Sequence, residues 1–514
     1  MRIERTKNAG RNILFGVLLK IYQILIPYII RTAMIYFMGV QYLGLNSLFT
    51  SILQVLNLAE LGVGSAMVYS MYKPIVEDDK KKICELMNLY RTYYRIIGFV
   101  IAVIGICLLP YIPKLIKSDI PGDINIYVLY LLNLSVTVLS YWLFAYKNCL
   151  LDAHQRNDVT SKVTIITNTM QYILQVVVLV VFKNYYFYVV VALVTQAMTN
   201  IIIASVVTKM FPDYNPKGKL SKQEVRVINH RIRDLFTSKI GAVVVNSADT
   251  IVISAFLGLT VLAVYQNYYY ILNAIINIVT IAFTACTAGI GNSIIVETKE
   301  KNFENLKKFT FIIAWIAGVC STCLLCLYQP FMDIWVGKKL ELEFGAVICL
   351  CIYYFVYEIN QLLNTYKDAA GMWHEDRFRP LVTAVVNLGL NIIMVKYWGI
   401  YGVLLSTVIS MLVVGMPWLL YNLFTVIFAR SMFLPYIKNL FFYVIVSVVV
   451  QATTYILTFG IHGNKWFVFI VKAIICCIVP NVIFIIAYRK KWEFRESIKL
   501  INKITRGKIR LKKN

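Results

Sequence analysis

Residues 13–38 read ILFGVLLKIYQILIPYIIRTAMIYFM, an apolar run in which Lys20 and Arg31 are the only charges. Wound as a helix it rises about 39 Å, more than the roughly 30 Å of hydrocarbon in a bilayer. The run is a membrane span. Further runs of the same kind follow at 44–71, 92–113, 125–148, 162–182, 185–208, 238–258, 264–289, 309–329, 344–366, 381–398, 400–426, 439–460 and 466–488. The expected fold class is therefore an all-α, polytopic integral membrane protein with about 14 transmembrane helices. Composition agrees: of 514 residues 59% are hydrophobic and 15% charged, and no polar stretch is long enough for a soluble domain of about 50 residues.

An even number of spans puts both termini on one side. With the N-terminus inside, 41 of the 51 Lys and Arg fall on inner segments and adjoining helix ends, 7 on outer loops, and Lys20, Arg31 and Lys472 within spans. This is the asymmetry of the positive-inside rule, so the net charge of +25 reads as topology rather than as nucleic-acid binding. The first run is too long for a cleavable signal peptide and is expected to remain as a span. All eleven cysteines lie in spans or on the inner side, where thiols stay reduced. Cys320, Cys323 and Cys326 recur at helical spacing with no His or carboxylate nearby, which reads as packing. No cofactor or metal is expected.

The longest inner segment, 209–239, carries Pro212, Pro216 and Gly218 and then restarts as a helix, with Ser221 and Glu224 in capping-box register. Val225, Ile228, Ile232 and Leu235 alternate there with Arg226, Arg231 and Arg233, the pattern of an amphipathic helix on the inner leaflet or of a basic linker. An internal comparison divides the chain. A shift of 219 residues places Gly39, Leu43, Ala66, Lys80, Lys82 and Glu85 on Gly258, Leu262, Ala285, Lys299, Lys301 and Glu304; a shift of 220 places Tyr146, Lys147 and His154 on Tyr366, Lys367 and His374. The reading is two pseudo-symmetric six-helix halves, 1–208 and 240–430, joined by the linker 209–239 and followed by two additional helices in 431–488 and a basic tail, 489–514. Each half has an even number of spans, so the repeats are parallel. Paired halves are the architecture of alternating-access transporters, with the substrate site where the halves meet.

Polar groups inside the spans are the candidate site. Lys20 and Arg31 are eleven residues apart, within about 20° of each other around the helix, and Gln23 and Pro27 share their face. A charge in a bilayer costs at least about 2.5 kcal/mol, so a shared charged face argues for a wet passage. Asn46, Thr50, Asn57, Glu60 and Gly64 form a stripe on the second span; Gln266, Tyr270, Asn273, Asn277 and Thr284 form another on the eighth. Lys20, Gln23, Arg31, Asn57, Gln266, Asn273 and Asn277 are the expected substrate contacts, suited to a ligand that carries phosphate and sugar hydroxyls. Glu60, Asn246 and Asp249 are candidates for ion coupling or for pairing with Lys or Arg; the sequence leaves both open. No P-loop occurs, so ATP hydrolysis of that kind is not the energy source.

The N-terminal run RNILFGVLLKIYQILIPYIIRTAMIYFMGVQYLGLNSLFTSIL, with LAELGVGSAMVYSMYKPI, NSADTIVISAFLGLTVLAVYQNYYYI and AAGMWHEDRFRPLVTAVVNLGLNI, resembles the polysaccharide flippases (Wzx-type) of the multidrug/oligosaccharidyl-lipid/polysaccharide (MOP) exporter superfamily. The resemblance covers nearly the whole chain. It implies translocation of an undecaprenyl-pyrophosphate-linked oligosaccharide to the outer leaflet of a bacterial plasma membrane, for capsule, exopolysaccharide or related polymer. It also implies membrane lipids, and a polymerase and glycosyltransferases of the same pathway, as partners, and no enzymatic reaction. Lys20 and Arg31 match intramembrane cations of such flippases and are the expected diphosphate contacts. The second half departs from that pattern, with Asp249 in place of a cation, and fourteen spans exceed the usual twelve. Two alternatives stand beside this reading: an organic-cation or multidrug antiporter worked by Asp249 and Glu60, and a membrane-embedded transferase.

Overall fold

Hydrogen bonds that cannot be made to lipid must be made along the chain, and helices answer that demand throughout. The structure, a computed structural model, describes residues 5–117 and 120–504; among them every regular element is helical. Two units form. The first, Met1–Ala263, contains α1 (Arg5–Phe37), α2 (Val40–Leu56), α3 (Val63–Val76), α4 (Lys80–Leu108), α5 (Ile126–Trp142), α6 (Asn148–Ala153), α7 (Asn157–Val177), α8 (Tyr185–Met210), α9 (Lys222–Leu257) and the start of α10 (Leu259–Val296). The second, Val264–Asn514, contains the rest of α10, then α11 (Lys299–Trp335), α12 (Phe344–Ala369), α13 (Arg379–Ser410), α14 (Met416–Val426), α15 (Phe433–Phe459), α16 (Lys465–Tyr488) and α17 (Trp492–Ile504).

Among the described residues ten helical stretches are long and apolar enough to cross a membrane, and the bent pair of α5 with α6 makes an eleventh. One stretch, Arg379–Val426, is two spans, because Gly399 (φ 54°, ψ −130°) turns the chain back inside α13. The apolar end of α9, Val243–Leu257, is shorter than these, and α10 runs for 38 residues. Most of the runs read from the sequence fall on these helices, while the run 44–71 is divided between α2 and α3.

Helix ends at positions paired by the 219-residue shift share features. Gly39 and Gly258 both take positive φ, 115° and 93°, at the breaks that precede α2 and α10, a conformation that costs glycine little and other residues much. Asp79 caps α4 by accepting from the Lys82 amide, and Thr298 caps α11 by accepting from the Lys301 amide. Lys82 then pairs with Glu85 at 3.8 Å and Lys301 with Glu304 at 3.0 Å. The Ser221 and Glu224 capping box at the start of α9 forms as the sequence predicts.

In the first unit α1 packs on α7, α5 on α4 and α8, and α2 along α9. The α2 contact is close: a methyl group on Gly44 would meet the Leu259 carbonyl oxygen at 2.4 Å. In the second unit α11 is the central rod, packed on α12, α15 and α16. The two extra helices therefore stand against the interior of that unit. α17 lies on α11, with Phe494 stacked on Trp315 at 5.8 Å.

Candidate functional site

The second span, read as one run over 44–71, is broken. α2 stops at Leu56, the chain turns through Asn57–Glu60, and Gly62 (φ 89°) restarts it as α3. A turn inside a span frees polar groups that need partners, and tyrosines supply them. The Glu60 carboxylate accepts from Tyr94 at 2.7 Å and from Tyr141 at 3.1 Å; the Tyr141 hydroxyl lies 3.1 Å from the Asn57 side-chain oxygen; and Tyr90 donates to Tyr94 at 2.6 Å. Asn57 and Glu60, predicted separately, thus meet at one tyrosine. The described partners of Glu60 are hydroxyls, where the sequence left a Lys or Arg open.

On α1, Lys20 and Gln23 are exposed and Arg31 is half-buried. The helix is anchored on its other side: Tyr22 and Thr169 hydroxyls meet at 2.9 Å, and Tyr22 packs on Tyr172. Arg31 lies near the buried Tyr188 and acts on it electrostatically. The polar stripe of α2 is tied to α8 through the Tyr185 hydroxyl, which donates to Asn46 at 3.3 Å. On α9, Asp249 is half-buried and engaged by neighbours, while the side chains of Asn246 and, on α10, Thr284 lie outside the described residues. Gln266 and Asn273 of α10 are half-buried and Asn277 is exposed.

Sequence reasoning missed Glu358. It sits midway along α12 with 1% exposure, and neither carboxylate oxygen has a hydrogen-bond partner among the described residues. Tyr354, one turn earlier, and Cys320 of α11 are its polar neighbours. The signal was present in YYFVYEINQLLN, 353–364, where a lone carboxylate interrupts an apolar run. Among the described residues no group of three His, Cys, Asp or Glu side chains converges as metal ligands would.

The loops that return the chain at one face of each unit carry buried acids. Asp158 is fully buried and pairs with Arg156 at 2.9 Å and Lys162 at 3.7 Å. In the matching loop Asp376, 2% exposed, holds Arg379 by two bonds of 2.6 and 2.7 Å. Elsewhere on the first unit's basic face, Lys82 and Ser221 hold the Glu224 carboxyl down at about 2.

His154 closes the first of these loops. Its ring stacks on Phe211 at 4.4 Å, Nδ1 meets the Leu150 carbonyl at 2.8 Å, and burial holds its pKa below the usual 6.5. The unfolded chain therefore binds the proton more readily, and stability is lost as pH falls below about 6.5. Replacing His154 with Phe keeps the stacking and removes the proton. Thermal unfolding of the purified variant is expected to lose this part of the acid sensitivity.

The described residues form a multi-pass, all-helical membrane protein with charged residues within its spans. The structural comparisons agree. The chain resembles the lipid II flippase MurJ in an inward closed conformation with a TM-score of 0.69 at 16% identity, covering 93% of this chain and 99% of that one. It resembles an inward-facing multidrug resistance MATE transporter of the MOP superfamily with a TM-score of 0.59 at 15% identity, covering 82% and 99%. A Vibrio cholerae MATE transporter gives 0.53 at 14%, covering 82% and 98%. The family is shown by sequence: the model of the polysaccharide biosynthesis protein family matches residues 9–287. The chain belongs to that family. No curated protein matches it.

Proposed function

We propose that the protein carries an undecaprenyl-diphosphate-linked oligosaccharide from the inner to the outer leaflet of a bacterial plasma membrane, by alternating access, to feed synthesis of a surface polymer. The observation that carries this reading is the pair Lys20 and Arg31 on one face of α1, in a member of a polysaccharide biosynthesis family. Lys20 is exposed and Arg31 is half-buried on that helix. A known flippase of the same fold handles a lipid-linked substrate.

In this reading Lys20 and Arg31 hold the diphosphate, and Gln23, Asn57, Gln266, Asn273 and Asn277 meet sugar hydroxyls, each of which costs up to several kcal/mol in hydrocarbon without a partner. The polyprenyl chain stays in lipid. Glu60, Asn246 and Asp249 serve charge balance or ion coupling. The membrane potential, worth about 2.3 kcal/mol per charge per 100 mV, drives an anion outward. Both termini then face the cytoplasm, and the polymerase and glycosyltransferases of the pathway act on either side of the step.

The experiment is reconstitution in vesicles with a fluorescent polyprenyl-diphosphate sugar and, separately, an organic cation. Leaflet exchange of the anionic lipid with no cation transport is the expected result. Cation exchange against protons with no lipid movement would establish the antiporter instead.

A further inference from the structure

On the basic face of the first unit, the last turns of α3, the start of α4 and the first turns of α9 enclose a cleft of about 680 Å³. Its walls include Tyr69, Ser70, Lys73, Lys82 and Arg231. That volume lies in the range of small-ligand sites.

The cleft contains three acids, and each is already engaged. Glu224 is bound by Lys82 and by the Ser221 hydroxyl. Glu77 lies 3.7 Å from Lys73. Asp79 accepts the Lys82 amide at 2.9 Å as the cap of α4. Arg231 is different. Its guanidinium lies over the Tyr69 ring at 4.7 Å and reaches the Ser70 hydroxyl at 3.4 Å, and no carboxylate pairs with it among the described residues. A guanidinium whose face is covered by an aromatic ring still presents N–H groups along its edges, in the fork that suits phosphate oxygens.

Depth selects the source of that phosphate. Tyr69 and Tyr72 are 60% and 44% exposed at the end of the spanning stretch Val40–Val76, and the apolar Val76 and Val227 are exposed beside them. Exposed tyrosines at the end of a span belong at head-group level, where rings meet acyl chains and hydroxyls meet water. A soluble phosphate would leave those apolar surfaces uncovered; a lipid covers them with its own glycerol and acyl ends.

We infer that this cleft binds the phosphodiester head group of an anionic phospholipid, with Arg231 as its principal contact and Lys73 at its rim. The site is separate from Lys20 and Arg31 and does not depend on the cargo proposed above.

The test is native mass spectrometry of the full chain in detergent, titrated with phosphatidylglycerol or with phosphatidylcholine. One phosphatidylglycerol is expected to be retained in preference to phosphatidylcholine. Arg231→Gln should weaken that retention about tenfold, the loss of one charge-assisted contact, with Arg231→Lys in between. Lys73→Gln, at a largely exposed side chain, should weaken it two- to threefold and guards against misfolding of the Arg231 variants. Millimolar glycerol phosphate should not displace the lipid. Equal retention of the two lipids by the wild type, unchanged retention in both Arg231→Gln and Lys73→Gln, or displacement by glycerol phosphate would each overturn the inference. The readout is lipid occupancy, so a failed transport assay leaves it untouched.

Discussion

Replacing Lys20 and Arg31 together by glutamine is expected to lower translocation of a polyprenyl-diphosphate sugar by two to three orders of magnitude, with the protein still present in the membrane at its normal level. Each cation offers the diphosphate a charge-assisted hydrogen bond worth about 1.5–3 kcal/mol, and each 1.4 kcal/mol is about tenfold in an equilibrium. Lys20 is exposed, away from the Tyr22, Thr169 and Tyr172 contacts that anchor α1, while Arg31 is half-buried near Tyr188. Loss of the Lys20 charge therefore leaves that packing whole, and the amount of protein in the membrane reports the cost of losing Arg31. The double variant also removes two charges that are costly at intramembrane depth. The single variants should each lose one to two orders. Arg31→Lys should recover only part of the Arg31→Gln loss, because an ammonium lacks the planar fork. The measurement is leaflet exchange in vesicles, with protein amount read by immunoblot from the same membranes. Unchanged exchange in the double variant would remove these cations from the site.

Such a prediction is possible because intramembrane charge is legible in sequence. Lys20 and Arg31 stand out from an apolar run, and helical geometry alone puts them on one face. The spans were legible for the same reason, since lipid permits only a helix there. The two runs 381–398 and 400–426 are separated in the backbone by the non-helical Gly399. What stayed hidden depends on distant partners. The break at Asn57–Glu60 could not be read from the run 44–71, because the tyrosines that support it, Tyr94 and Tyr141, come from α4 and α5. Hydropathy scores a tyrosine as nearly apolar whether its hydroxyl is idle or binds a carboxylate. Glu358 was hidden for the converse reason: no charged neighbour in the sequence accompanies it, and its burial comes from the packing of α12 in its unit.

Asp158 and Asp376 are buried acids where the chain turns into a helix in each unit. In the first unit Arg156 precedes Asp158, while in the second Asp376 precedes Arg379. The order of charge is reversed between matching loops, yet each loop keeps one acid sealed from solvent and one arginine on it. An internal sequence comparison aligns His154 with His374 and passes over the acids, because they stand at different distances from those histidines. Each acid, with an arginine and a lysine on it, makes a knot of charge where the chain enters a helix, α7 in one unit and α13 in the other.

That knot gives the second large effect. Arg379→Met is expected to destabilise the second unit by about 3 kcal/mol, because truncating one partner leaves a buried charge uncompensated. Asp376 would keep Asn422 at 3.2 Å and Lys367 at 3.8 Å, contacts too few to replace the two-bond grip of the arginine. Arg379 also donates to Asn364 at 2.8 Å, so its loss strips α12 of a tie as well. Asp376→Asn in the same chain removes the stranded charge and is expected to recover half or more of the stability, whereas additive effects would give a double variant worse than either single. A double-mutant cycle on thermal unfolding in detergent measures the coupling. A coupling below about 1 kcal/mol would mean that the pair is screened like a surface ion pair, and the loop would then be held by its helices rather than by its charges.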